Sequence, residues 1–209
     1  MIRHFDQEEI LATDAFYRRN FINCLSGYKS LNLIGTVNSK GLTNLAPFSQ
    51  IFHIGASPPL LGILFRPHTV KRDTLENILD TGFFTMNHVT SEFYKEAHWT
   101  AASWEGSEFE GTGLQEEYFS GFEAPFVKGS PLKLACSLVE TQTLKVNQTV
   151  LVIGSIDHIF VDEKGLRADG SLDLNALDTV TVSGLDEYHK GEKLARLSYA
   201  KKDQQVKEI

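Results

Sequence analysis

Two short stretches carry the residue types from which chemistry could be built. The first is Arg66-Pro67-His68-Thr69-Val70-Lys71-Arg72, three cations and a histidine within seven residues. Asp73-Thr74-Leu75-Glu76 follows, an acid with Glu three residues later, which resembles a capping box and predicts a helix start capped by Asp73. Free N–H groups at a helix start, flanked by cations and hydroxyls, form an anion site. The same cations read equally as a solvated surface loop. Their sign is the more noticeable because the whole chain carries a formal charge of −7. The second stretch, Asn44-Leu45-Ala46-Pro47-Phe48-Ser49, reads as a loop of small residues stiffened by one proline and bearing one ring. Phe48 reads equally as a core aromatic.

Other kinds of site lack a signature. No HxH, HExxH or His–carboxylate spacing suggests a metal. His53 and His158 fall in strand-like runs, as surface or satisfied core histidines, and His68 is the better candidate for function. There is no GxSxG elbow. Gly111-Thr112-Gly113 lacks the third glycine and the strand–helix setting of a dinucleotide fingerprint. Whatever reaction occurs here is expected to depend on positioning a reactive ligand.

The 209 residues suffice for one substantial core, and one domain over 1–209 is the simplest organisation. A 42% hydrophobic and 22% charged composition is that of an ordinary globular chain. The acidic balance argues against nucleic acid. Cys24 and Cys136 lie far apart, which suits a reducing compartment. The polar N-terminus is unlike a signal peptide, and no apolar run reaches membrane-spanning length. The expectation is a cytoplasmic protein with no membrane partner.

The elements that must hold the two stretches follow from periodicity. Asp14 predicts the cap of a helix through Leu25, with Phe16, Tyr17, Phe21, Ile22 and Leu25 as its apolar stripe, in an N-terminal helical arm over 1–27. The period then changes to two. Leu31 to Val37 reads as a strand, Asn38-Ser39-Lys40-Gly41 as a turn, and Gln50–Gly55 and Leu60–Phe65 as further strands. A short helix through Leu75, Ile78 and Leu79 precedes a strand at 83–89. Residues 91–102 read as a helix within an inserted region at 91–130, whose remainder is aperiodic. Two long strands begin near Leu132 and Thr149, residues 164–178 read as surface loop, and 190–209 as a polar tail. Antiparallel strands with few helices point to a closed β-barrel with appended helices.

The run Gly35-Thr36, Gly41, Asn44 to Ser49 and Pro58-Pro59, then Arg72-Asp73-Thr74, Asn77-Ile78, Thr81-Gly82, Phe84 and Asn87, resembles the flavin reductase-like family. The likeness is strongest over 28–90 and continues weakly through Ala124-Pro125-Phe126-Val127 and Gly184-Leu185-Asp186-Glu187-Tyr188. It implies a mainly β, antiparallel, Greek-key-like split barrel and a homodimer with FMN at the subunit interface. It further implies that the 44–49 stretch lies along the flavin ring while the loop before the helix holds the phosphate. On that basis Arg66, His68, Thr69, Lys71 and Thr74 are expected at the phosphate. Asn44, Ala46, Pro47, Phe48 and Ser49 are expected along the ring, and Thr36 reaches it from the adjacent strand. Asn87, Tyr188 and His189 are candidates for the mouth through which NAD(P)H would enter.

The expected function is an FMN-dependent oxidoreductase passing electrons from NAD(P)H to free flavin, ferric iron or another acceptor. No residue of the chain need act as acid or base in the hydride step. Two alternatives stand beside it. One is an FMN electron carrier without its own NAD(P)H site, and the other a non-enzymatic split barrel binding another ligand.

Overall fold

The computed structural model describes residues 1–119 and 121–209. Ser120, inside the aperiodic region, lies outside the described residues. Asp14 caps the second of two N-terminal helices, accepting from the N–H groups of Phe16 and Tyr17, so that α2 (Ala15–Cys24) follows α1 (Gln7–Ala12) closely. The expected apolar stripe of α2 is present but does not face a core. Phe16, Tyr17, Ile22 and Leu25 are exposed and no residue of the helix is buried.

After β1 (Lys29–Ser30) the chain forms two successive hairpins. β2 (Asn32–Val37) turns at Asn38–Gly41 into β3 (Thr43–Phe48), and β4 (Ile51–Ala56) turns into β5 (Pro59–Phe65). The first of these corrects the sequence reading. Asn44 to Phe48 is not a loop but an edge strand paired with β2. Proline survives there because the N–H it lacks would have pointed away from the sheet. Leu45, two residues earlier and of the same orientation, sends its N–H outward to a side chain.

Helix α3 (Asp73–Thr81) leads into β6 (Phe83–His88). The region at 91–130 then supplies α4 (Tyr94–Trp99), α5 (Glu108–Thr112), β7 (Glu116–Glu117) and β8 (Phe126–Val127). The helix expected over 91–102 is therefore shorter, and its surroundings are not peripheral. Ala97, Phe109, Phe126 and Val127 are all buried. The long hairpin of β9 (Leu132–Thr143) and β10 (Val150–Val161) follows, then β11 (Val180–Ser183) and β12 (Glu187–Lys190), which pair with β1 in a small sheet.

The main sheet has seven antiparallel strands in the order β3-β2-β6-β9-β10-β5-β4. Its two edges, β3 and β4, are joined in sequence by Ser49 and Gln50 alone. The ends of the sheet must therefore meet at this corner, yet no ladder joins them. The result is a mainly β barrel split along one seam. Its interior is filled by Ile34, Ile63, Phe65, Ile78, Phe84 and Val152. A second cluster, with Leu33, Leu45, Val89, Phe109 and Val127, lies on the other face of β2, which is buried on both sides. The stretch 164–178 is not wholly surface, since Leu177 is fully buried in the first cluster. Among the described residues, no helix is long and apolar enough to cross a membrane.

Candidate functional site

A cavity of about 560 Å³ opens where the seam, the end of β5 and the start of α3 converge. That size suits a small molecule or cofactor. Asn44, Ala46, Pro47, Phe48 and Ser49 line it from β3 and the corner, and Arg66, Lys71 and Thr74 from the loop and helix beyond β5. Eight of the eleven expected residues are thus brought together. Three are not. Thr36 is fully buried beneath β3. His68 turns outward, its Nε2 3.4 Å from Glu76, and Thr69 is exposed away from the cavity.

The expected capping box does not form. The helix starts one residue earlier than that motif requires. Arg72 holds the N-cap position without a side-chain bond, and Asp73 is already the first helical residue. Its carboxylate is drawn to Lys71 Nζ at 2.5 Å, a hydrogen bond that raises the lysine pKa. The first-turn N–H groups of α3 are consequently left without a side-chain acceptor, beside three cations. Arg72, whose place at the cavity the sequence reading missed, donates through Nε and Nη2 to the carbonyl of Pro67 and ties the loop closed. Arg66 has no ion-pair or hydrogen-bond partner among the described residues, and its guanidinium can turn toward a ligand.

A buried amide network fixes Thr74. Asn44 Nδ2 donates to Thr36 Oγ1 at 3.2 Å and to Thr74 Oγ1 at 3.0 Å, while Asn77 Nδ2 donates to Thr36 at 3.1 Å. Both amide protons of Asn44 are spent, so only its Oδ1 remains for a ligand. Thr74 accepts and still has a proton to give. Thr36 is therefore a support under the site. Substituting Asn44 by Ala is expected to cost about 1–2 kcal/mol, because Thr74 loses its donor and Thr36 one of its two in a buried setting. Thermal or urea unfolding would check this, and unchanged stability would refute the network's role. Phe48 meets both readings of it. It packs edge-on against Phe65 with ring centroids 4.8 Å apart, and it also lines the cavity.

The rest of the lining had little sequence signal as a site. His98 and Thr100 to Ala102 come from the stretch expected as a helix, Ser103, Trp104 and Glu108 from the region after it, and Tyr188 joins them. Glu108 does structural work here. Its Oε2 accepts the N–H of Leu45 at 2.8 Å, standing in for the strand that edge β3 lacks. Burial raises its carboxyl pKa, an effect partly offset by that N–H. Thr43 donates to Glu116 at 2.6 Å, so the 2.8 Å bond between Thr43 and Ser107 must run from the serine. Of the residues expected at a nicotinamide mouth, Tyr188 alone lines the cavity. Asn87 is fully buried, bonded to Leu33, Thr85 and Val127, and His189 packs on Tyr28. His88, half-buried on β6, is held neutral, its pKa lowered to about 4 by desolvation. His53 and His158 are exposed. Among the described residues, no cluster of His, Cys, Asp or Glu could hold a metal.

Comparison with known proteins gives a consistent picture. The profile of the family described as "Flavin reductase like domain" matches residues 25–176. A presumed flavin reductase with a split barrel domain from Shewanella frigidimarina NCIMB 400 superposes with a TM-score of 0.92 at 51% identity, over 95% of this chain and 100% of that one. The flavoredoxin of Desulfovibrio vulgaris (Miyazaki F) superposes with a TM-score of 0.69 at 25% identity, covering 81% and 91% of the two chains. An uncharacterised protein of Bacillus subtilis (strain 168) is 28% identical over 203 residues, 92% of this chain and 94% of that one.

Proposed function

Because the chain belongs to the flavin reductase like domain family, we propose that it binds FMN in the seam cavity and works as an NAD(P)H-dependent flavin reductase. One observation carries the assignment to this cavity. A nine-residue helix begins there without a side-chain cap, beside Arg66, Lys71 and Arg72. That donor set fits a phosphate monoester. The rest of the cavity offers what a flat ring needs: Ala46 for close approach, the stiff Pro47, and the edge of Phe48. When bound, FMN supplies the chemistry, taking hydride from NAD(P)H and passing electrons to free flavin, ferric iron or another acceptor.

The chain's own part is to hold and shield. Arg66, Lys71, Arg72 and Thr74 bind the phosphate through charge-assisted bonds. Asn44 presents Oδ1 as an acceptor from a position fixed by Thr36 and Thr74. The 100–104 wall limits water on the far side. Titration with the purified protein is expected to quench FMN fluorescence at one equivalent per chain. Anaerobic NADH or NADPH should then bleach the bound flavin quickly. A protein that leaves FMN fluorescence unchanged would overturn the assignment.

A homodimer with FMN at the interface belongs to the same reading. Phe16, Tyr17, Ile22 and Leu25 of α2, and Phe52 and Ile54 of β4, are exposed apolar groups that a second copy would cover. Sedimentation velocity should give a dimer, and a monomer at assay concentrations would refute this part. A cytoplasmic setting fits Cys24 and Cys136, both free thiols. The 98–104 wall and the flavoredoxin likeness favour one rival, an FMN electron carrier without an NAD(P)H site. Slow bleaching by both nucleotides, with rapid reduction by dithionite, would select it.

A further inference from the structure

The cavity is also lined by two proton-bearing groups to which the flavin reading assigns no part. Tyr188 stands on β12 and His98 near the end of α4, 90 residues apart in sequence, with the phenolic oxygen 2.6 Å from His98 Nδ1. Both line the cavity shared with Ala46, Phe48 and Arg66.

The pair is fixed by packing. Tyr188 rests on the second core cluster, and its ring centroid lies 5.6 Å from that of Tyr94 and 5.6 Å from that of His98, the histidine edge-on. Burial, with Asp186 nearby, raises the phenol pKa and keeps its proton in place. His98 itself is exposed, so the outer member of the pair can exchange protons with water. A half-buried phenol backed by a solvent-facing imidazole is the arrangement of a general acid that can be recharged.

We propose that Tyr188, recharged by His98, donates the proton to a quinone-type acceptor that takes up a hydride and a proton in this cavity. The proposal rests on the flavin reading and adds the acceptor class. The balance is simple. NAD(P)H is oxidised to NAD(P)⁺ and its hydride, delivered by way of the flavin, adds to one quinone oxygen. The ring becomes an aromatic phenolate, and its second oxygen takes the Tyr188 proton. The tyrosinate recovers a proton from His98 Nδ1, and His98 from water. One acceptor becomes one hydroquinone at the expense of one NAD(P)H and one solvent proton.

The test compares flavin-loaded wild type, Tyr188→Phe and His98→Gln. Each is first titrated with FMN, and equal affinities are expected. Menadione reduction should then fall about a hundredfold in Tyr188→Phe, within the usual worth of a general acid, and about tenfold in His98→Gln, which keeps a hydrogen-bonding side chain but cannot relay a proton. With the flavin photoreduced beforehand, so that no nicotinamide need bind, ferricyanide, which takes electrons alone, should be reduced at the wild-type rate by all three. Binding gives a readout apart from turnover. The oxidised, FMN-loaded Tyr188→Phe protein should bind 4-nitrophenol, followed by its absorbance, about tenfold more weakly than wild type. Equal losses with menadione and ferricyanide, no loss with either, or unchanged 4-nitrophenol binding would overturn the proposal and leave the flavin reading intact. A wild-type protein that takes up no FMN would defeat both, and the first titration would show it.

Discussion

Replacing Arg66 and Lys71 together by alanine is expected to weaken FMN binding about a hundredfold, since each cation removed takes a charge-assisted bond to phosphate with it. Riboflavin, which shares the ring and lacks the phosphate, should bind the double variant as it binds the wild type. Comparing the two ligands in one fluorescence titration separates loss of the phosphate site from collapse of the cavity. The salt dependence should fall in parallel, because exposed cations act through a screened field. Asp73 gives a second test with the opposite sign. It now occupies Lys71 at 2.5 Å, so Asp73→Asn would free that ammonium and remove an anion from the phosphate's surroundings. FMN should bind the Asp73→Asn protein more tightly, by a few-fold at low salt, with riboflavin unchanged. An FMN affinity unchanged in the double variant would place the phosphate elsewhere.

That the cations of 66–72 and the 44–49 stretch come together was legible in the sequence, but their framework was only partly so. Periodicity sufficed for β2, β5 and the long β9–β10 hairpin, because apolar spacing and the Asn38–Gly41 turn are local signals. Asp14 was legible as a cap for the same reason. Asn44 to Phe48 was not legible as a strand, since Asn and Pro are loop residues by local preference. What makes them a strand is long-range, with β2 on one side and the carboxylate of Glu108 on the other. Glu108 gave no signal at all. It belongs to an aperiodic stretch whose order comes from contacts with β3 more than sixty residues earlier in the chain. The cations led to the cavity that Arg66 and Lys71 line, while the assignment of Asp73 to the cap failed because the helix starts one residue sooner. His68 and Thr69 share the loop's sequence but not its inner side. The apolar stripe of α2 was correctly read as a stripe, yet a period cannot say whether it faces a core or the outside.

Substituting Gly35 by Ala is expected to cost about 3 kcal/mol and lower the melting temperature by about 10 °C, an overpacking effect at the upper end of the usual range. An alanine in a regular strand would ordinarily be neutral or stabilising relative to glycine, because it loses less backbone freedom on folding. Here the sign reverses. A Cβ at position 35 would lie 2.2 Å from the carbonyl oxygen of Pro125 and 2.5 Å from Thr85 Oγ1. The first is backbone, and the second is a buried hydroxyl held by its bonds to that carbonyl and to Asn87. The Pro125 carbonyl accepts the Thr85 hydroxyl at 2.6 Å, and two residues on the Val127 N–H donates to Asn87 Oδ1 at 2.9 Å. These bonds pin the 124–127 segment across β2 and β6. Making room for a methyl group would lift that segment, breaking the bond to Thr85 and disturbing Phe126 and Val127, both fully buried. Thr85→Val supplies the control: it keeps the shape, loses the hydroxyl, and should cost only about 1 kcal/mol. If Gly35→Ala unfolded at or above the wild-type temperature, the close approach of Pro125 to β2 would be wrong. The region at 91–130 would then rest on the barrel instead of completing its core.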